Sequence, residues 1–291
     1  MYAVLGITGQ TGAAAAAALL DAGEQVRALV RSPEKAASWR ARGVDLLRGD
    51  VGDPASLRAL FDGAAGAYAL VPPDLQHPDP IGWYAATADA IREAAIASKL
   101  PRLVFLSSEG AHLPAGTGPI RGSHACEKIL SDCPGTRVTF LRPTYFQENW
   151  APVLGLAAAQ GILPSFLLDL DRRRAMVATR DIGATAAALL LDPDAPAIVE
   201  LEGPEPYSPR DAANAAARAA GREVAPVAVP RDAWFDTLTG AGLGRPYAEL
   251  LVEMYDGINA GHVRRSGAGE LRRGPTPLGE TIAALIPAKA A

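Results

Sequence analysis

The sequence predicts an α/β fold, a doubly wound parallel sheet, on three observations. Short apolar runs alternate with amphipathic helical segments through the first half of the chain. The first run ends in a glycine-rich turn that opens a helix. The 291 residues, 49% hydrophobic and 21% charged, suffice to bury one large core with a smaller lobe beside it.

Tyr2–Leu5 reads as the first strand, and residues 12–22, rich in Ala and Leu, as a helix stopped at Gly23. Gln25–Val30 is a strand. Ser32 is expected to cap the next helix, with Pro33 at its first position and Gly43 at its end. Val44–Leu47 is a strand, Asp53–Phe61 a short helix, and Ala67–Val71 a strand stopped by Pro72-Pro73. Trp83–Ser98 is a long helix. Leu103–Leu106 is a strand ending at Ser107-Ser108, Ser123–Leu130 a helix and Val138–Leu141 a strand. Right-handed crossovers put the C-terminal strand ends on one edge, where ligands bind.

Beyond residue 150 the rhythm loosens. Ile182–Leu191 reads as a helix begun at Asp181, and Ile198–Leu201 as a strand. Ser208-Pro209-Arg210-Asp211 resembles a capping box with Asp in place of Glu. Val224–Val229 is a strand, followed by helices near 231–239, 246–259 and 277–286. The Gly- and Arg-rich stretch Ser266–Gly274 reads as a mobile loop. The expected division is a dinucleotide-binding domain at 1–150, rejoined by segments near 175–202, with 151–291 mainly a small α+β lobe for substrate.

A net charge of −4 offers no footprint for nucleic acid or anionic lipid. Cys126 and Cys133 are too few for a disulfide framework, which fits a cytoplasmic setting. Neither a signal peptide nor a membrane span is expected. The four histidines lack metal-ligand spacing, and Gly-x-Ser-x-Gly and a P-loop are absent. No metal is therefore expected.

Chemistry enters at Gly6-Ile7-Thr8-Gly9-Gln10-Thr11-Gly12, between a strand and a helix. Glycines there allow a tight turn, close approach of the backbone to a pyrophosphate, and a helix N-terminus aimed at it. The spacing departs by one residue from GxGxxG; the alternative is a plain glycine turn. Arg31 stands at the end of the second strand, where an acidic residue would select NAD, and Lys35 follows one turn on. Arg suits a 2′-phosphate, so NADP(H) is the expected cofactor. Asp50 and Val51 after the third strand, and Val71 and Pro72 after the fourth, complete the adenosine side; Asp50 reads equally well as a turn residue.

These residues, with Leu141-Arg142-Pro143-Thr144-Tyr145-Phe146-Gln147-Glu148-Asn149, Thr179-Arg180-Asp181-Ile182 and Glu202-Gly203-Pro204-Glu205, resemble the NmrA-like family, an atypical branch of the short-chain dehydrogenase/reductases. The resemblance spans nearly the whole chain. It implies a Rossmann-type domain with a C-terminal substrate lobe. It also implies either a reductase of quinones, azo dyes, triphenylmethane dyes or imines, or an NADP-sensing regulator with little turnover.

Reductases of the wider superfamily use a Tyr-x-x-x-Lys pair with a Ser. Here Ser107 would polarise a carbonyl. Lys128 sits where the Lys should be, as a contact to the nicotinamide ribose or the substrate or else a helix-surface lysine, and His124 stands in the Tyr position. His124 is either the proton donor or a residue with no chemical duty. By resemblance, Thr144 and Phe146 flank the nicotinamide. Ser108, Tyr145, Asn149 and Trp150 face a small planar substrate, with aromatic walls from Tyr145 and Phe146. The sequence leaves room for a homodimer.

Overall fold

The computed structural model describes residues 1–286. β1 (Tyr2–Val4), α1 (Gln10–Asp21), β2 (Val26–Val30), α2 (Ala37–Ala41), β3 (Asp45–Arg48), α3 (Pro54–Phe61), β4 (Gly66–Ala69), α4 (Pro80–Ala97), β5 (Arg102–Leu106), α5 (Ile120–Leu130) and β6 (Arg137–Pro143) alternate strictly. Then come β7 (Tyr145–Phe146), α6 (Ala151–Gln160), β8 (Ile162–Ser165), β9 (Arg174–Val177), α7 (Thr179–Leu191), β10 (Ile198–Glu202), β11 (Pro206–Tyr207), α8 (Pro209–Ala220), β12 (Ala225–Ala228), α9 (Trp234–Gly240), α10 (Arg245–Asn259), β13 (Glu270–Arg273) and α11 (Leu278–Leu285).

Eight strands form one sheet in the order β3-β2-β1-β4-β5-β6-β10-β13, every neighbouring pair parallel. The order reverses between β1 and β4, and the crevice at that reversal is where an open α/β sheet binds ligands. Side chains along β1 explain the two covered faces. Val4 packs with Ala15, Leu19, Ile182 and Leu190 of α1 and α7, while Ala3 and Leu5 pack with Leu57, Phe61, Ile91 and Leu130 of α3, α4 and α5. The alanine run of α1 lets α7 approach closely. A Cβ on Gly183 would run into the backbone of Ala14 and Ala15, so that position has no room for a larger residue.

A third core gathers Trp150, Leu154, Leu163, Ala212, Ala216 and Ile282, around α6, α8 and α11. The Ser208 hydroxyl caps α8, and the Asp211 carboxylate accepts from the Ser208 amide, so the capping box is formed.

Three local expectations need correction. Ser32 makes no side-chain cap; Pro33–Ala36 is a 3-10 turn leading into the short α2. α5 starts at Ile120, three residues earlier than its polarity pattern indicates. The stretch 266–274 is not a free loop: β13 pairs with β10, Glu200 accepts from the Ser266 amide and hydroxyl at 2.7 Å each, and Asp181 accepts from the Thr276 amide at 2.9 Å. Those long-range bonds fasten a segment whose composition reads as solvent-facing.

Candidate active site

The glycine turn is fixed by backbone geometry. Gly6 has φ +72°, a conformation costly for residues with a Cβ, and its carbonyl accepts from the Gly9 amide at 2.8 Å. A Cβ on Gly12 would collide with the Gly6 carbonyl and lie 2.7 Å from the Leu5 carbonyl. The N-cap of α1 is Gly9, which has no side chain to cap the helix, so the first-turn amides remain for a ligand. Thr8, Gly9 and Gln10 are exposed there, while Thr11 and Gly12 are buried.

Arg31 and Lys35 are exposed beyond β2, and neither has a carboxylate within 4.0 Å among the described residues. Asp50, exposed after β3, accepts from the Gly52 amide at 2.9 Å, which is a turn role. Val71 is buried beyond β4, and the carbonyl of the exposed Pro72 accepts from Trp83 Nε1 at 2.9 Å, which braces that turn. A glycine cradle with no room for a Cβ, uncapped amides and two unpaired cations fit a phosphorylated dinucleotide.

Beside this crevice, at the ends of β5 and β6, lies a cavity of ≈ 450 Å³. Ser107, Ser108 and Thr144 floor it, Tyr145 and Phe146 wall it, and Tyr247, Leu251 and Met254 of α10 cover it. Thr144 Oγ1 is buried with no partner in the protein, an orphan a ligand would satisfy. Burial pushes the Tyr145 hydroxyl well above its ordinary pKa, with the facing Tyr255 adding to the rise. Asn149 lines the mouth. Trp150 does not; it is buried in the third core, so it packs rather than meets substrate.

The face that α5 turns to the cavity is not the one that carries His124 and Lys128. Pro119, at its N-cap, Ile120 and Ser123 line the cavity, and Glu127 reaches beneath it to the Ser107 hydroxyl at 2.5 Å. The positions that line the cavity four apart are therefore 119 and 123, Pro and Ser, with Glu127 a further four residues on beneath it. Lys128 points off this face and is exposed. His124 Nδ1 donates to the Ala111 carbonyl at 2.8 Å; in the neutral ring this leaves Nε2 as an acceptor, and the residue does not line the cavity. Ser107 sits where expected, but its proton is committed to Glu127, so its oxygen is left to accept rather than polarise a carbonyl.

One residue missed in the sequence stands out. Glu109 follows Ser107-Ser108 into the cavity and makes no ion pair within 4.0 Å among the described residues. Burial pushes its carboxyl up to about 7, reinforced by Glu202 and Glu200 and opposed by Arg174 and Arg265. Its place just past the end of β5 was the available signal. Arg172, Arg173, Arg174 and Arg264 also line the cavity; Arg172, Arg173 and Arg264 are at the same time exposed.

Among the described residues no helix is long and apolar enough to cross a membrane, and no group of three or more His, Cys, Asp or Glu is placed to hold a metal.

The NmrA-like family pattern matches residues 2–266. The NAD(P)H azoreductase of Xenophilus azovorans is 29% identical over 259 residues, 88% of this chain and 86% of that protein. Quinone oxidoreductase 2 of Escherichia coli (strain K12) is 25% identical over 268 residues, 90% and 89% of the two chains. The crystal structure of the Escherichia coli NADPH-dependent quinone oxidoreductase complexed with NADPH superposes with a TM-score of 0.81 at 22% identity, covering 99% of this chain and 100% of that one. Triphenylmethane reductase of Citrobacter sp., complexed with NADP(H), gives 0.79 at 21% identity, with 98% and 99% covered.

Proposed function

The chain belongs to the NmrA-like family, and on that premise we propose that it is an NADPH-dependent reductase of small planar acceptors, quinone-, azo- or imine-like. The observation that carries this is one sheet edge holding both the glycine cradle after β1 and, at the ends of β5 and β6, an aromatic-walled cavity of ≈ 450 Å³. The azoreductase and quinone reductase relatives support the same reading.

The amides of Gly9–Gly12 hold the pyrophosphate, Arg31 and Lys35 the 2′-phosphate, and Val51, Val71 and Pro72 the adenosine side. Thr144 and Phe146 border the nicotinamide. Bound there, the reduced nicotinamide supplies a hydride for an acceptor in the cavity. Residues 1–150, with the segment near 175–202, carry the dinucleotide, and the described residues beyond 150 mainly close over the acceptor. Glu109, rather than His124 or Lys128, holds the proton that the reduced acceptor takes up, because it lines the cavity and titrates near neutrality. Tyr145 and Phe146 keep the acceptor flat against the ring.

A second reading has one observation in its favour. With Pro119 and Ser123 facing the cavity, α5 supplies neither Tyr nor Lys, as suits an NADP(H) sensor that reports through a protein partner. Following NADPH oxidation with a panel of quinones, azo dyes and imines separates the two. Turnover with at least one quinone is expected; tight NADPH binding with no turnover on any acceptor overturns the reductase reading.

A further inference from the structure

Resting on the reductase reading, we propose that the cavity selects planar acceptors bearing an acidic group, a sulfonate or carboxylate, held by Arg172, Arg174 and Arg264. Four arginines line the cavity against one glutamate, Glu109. Arg173 is already paired, 3.2 Å from Asp211 and 3.9 Å from Glu205. The other three have no carboxylate within 4.0 Å among the described residues.

What holds those three is backbone. Arg172 Nη1 donates to the Asn259 carbonyl at 3.2 Å, Arg174 Nη1 to Ile258 at 3.4 Å and Arg264 Nη1 to His262 at 3.4 Å. Asn259 and Ile258 close α10 at the negative end of its dipole, and the Ile258 carbonyl also accepts from the Gly261 amide at 3.1 Å. Such bonds aim a guanidinium without cancelling its charge. Arg174 Nε is buried and has no partner in the protein, so a donor is left over at the cavity wall. Asp169 and Glu109 act on Arg174 only from longer range. Glu109 itself gives up much of its charge near neutral pH, which leaves the cavity more positive.

The chain as a whole carries −4, so a positive cavity runs against its overall sign and marks a local requirement. A guanidinium fork matches the oxygens of a sulfonate or carboxylate, and Tyr145 and Phe146 supply flat walls for the ring that carries it.

The test compares naphthoquinone with naphthoquinone sulfonate in the NADPH-loaded protein. It also titrates naphthalene sulfonate, which cannot be reduced, into the NADP-loaded protein by calorimetry. The sulfonated quinone is expected to show a KM lower by about tenfold, a preference that shrinks with added salt. The variants Arg172→Gln, Arg174→Gln and Arg264→Gln should each reduce that preference and weaken naphthalene sulfonate binding. Arg92→Gln, on α4 and outside the cavity, serves as the control. Equal KM values for the two quinones, or a preference untouched by the arginine variants, overturn the inference and leave the reductase reading standing. Failure to reduce either quinone counts against the reductase reading instead; the calorimetric arm then still decides whether the arginines bind an anion, and no binding of naphthalene sulfonate overturns this proposal.

Discussion

Glu127 grips Arg142 through two hydrogen bonds beneath the cavity floor, 2.8 Å from Arg142 Nε to Oε1 and 2.5 Å from Nη2 to Oε2. Both side chains are nearly sealed from solvent, at 10% and 7% exposure. The same carboxylate fixes the Ser107 hydroxyl, and Arg142 Nη1 reaches Ser266 at 3.1 Å. One buried pair thus ties α5, β5, β6 and the segment before β13 together. Removing one partner strands the other's charge, so Glu127→Ala should cost about 3–5 kcal/mol, read from the urea midpoint. A loss under about 1 kcal/mol would contradict this account of the floor.

Gly12→Ala and Gly9→Ala should differ sharply. At Gly12 the new methyl meets backbone carbonyls that side-chain motion cannot relieve, whereas at Gly9 its nearest neighbour is the Gly6 carbonyl at 3.3 Å and φ is −98°. Calorimetric titration should show NADPH affinity down by at least about tenfold for Gly12→Ala, with a smaller effect for Gly9→Ala. Equal losses would show that the tight turn is not what holds the pyrophosphate.

Arg31→Ala should lower the preference for NADPH over NADH by about tenfold or more, since a charge-assisted bond to a 2′-phosphate contributes roughly 1.5–3 kcal/mol. The ratio of the two dissociation constants is the quantity to measure. An unchanged ratio would place the 2′-phosphate elsewhere.

Glu109 makes two linked predictions. Its carboxyl, ordinarily near 4.5, titrates at about 7 in the fold, so the folded state holds its proton more tightly than the unfolded chain does. Stability contributed at this site is therefore full below about pH 4.5 and is lost as pH rises to about 7. Glu109→Gln should stabilise the protein above that range, on the order of 2–3 kcal/mol, and have little effect below it. Turnover should fall as pH rises through about 7 in the native protein, and this break should vanish in Glu109→Gln. A Gln variant with the native pH profile would remove Glu109 as the proton source.

The order of strands and helices to β6 was legible because a parallel sheet buried on both faces writes each strand as an apolar run and each helix as an amphipathic segment. The glycine turn was legible for the same reason: its chemistry is local. What lay hidden depends on contacts distant in sequence. β7, β9 and β11 pair with one another across short segments, and β13 joins the sheet edge beside β10, so none carries a periodicity of its own. Gln147 and Glu148, part of the stretch that bears the family resemblance, prove to be braces; Gln147 bonds Thr276 and Thr281, and Glu148 holds the N-terminus of α7 at Thr179. His124 and Lys128 have a plausible four-residue spacing, but only the rotation of α5, set by Glu127 reaching Ser107 and Arg142, tells which face meets the cavity. Glu109 carries no signal in its own neighbourhood because its raised carboxyl comes first from burial in the folded protein, with Glu202, far along the chain, adding to it.

Single-turnover mixing of the protein, naphthoquinone and NADPH deuterated at the transferred position reads out hydride transfer itself. Loss of the NADPH absorbance should be slowed by deuterium, and Gly12→Ala should suppress it. NADPH that binds tightly yet keeps its absorbance in the presence of the quinone, with or without deuterium, would contradict hydride transfer to an acceptor in this cavity.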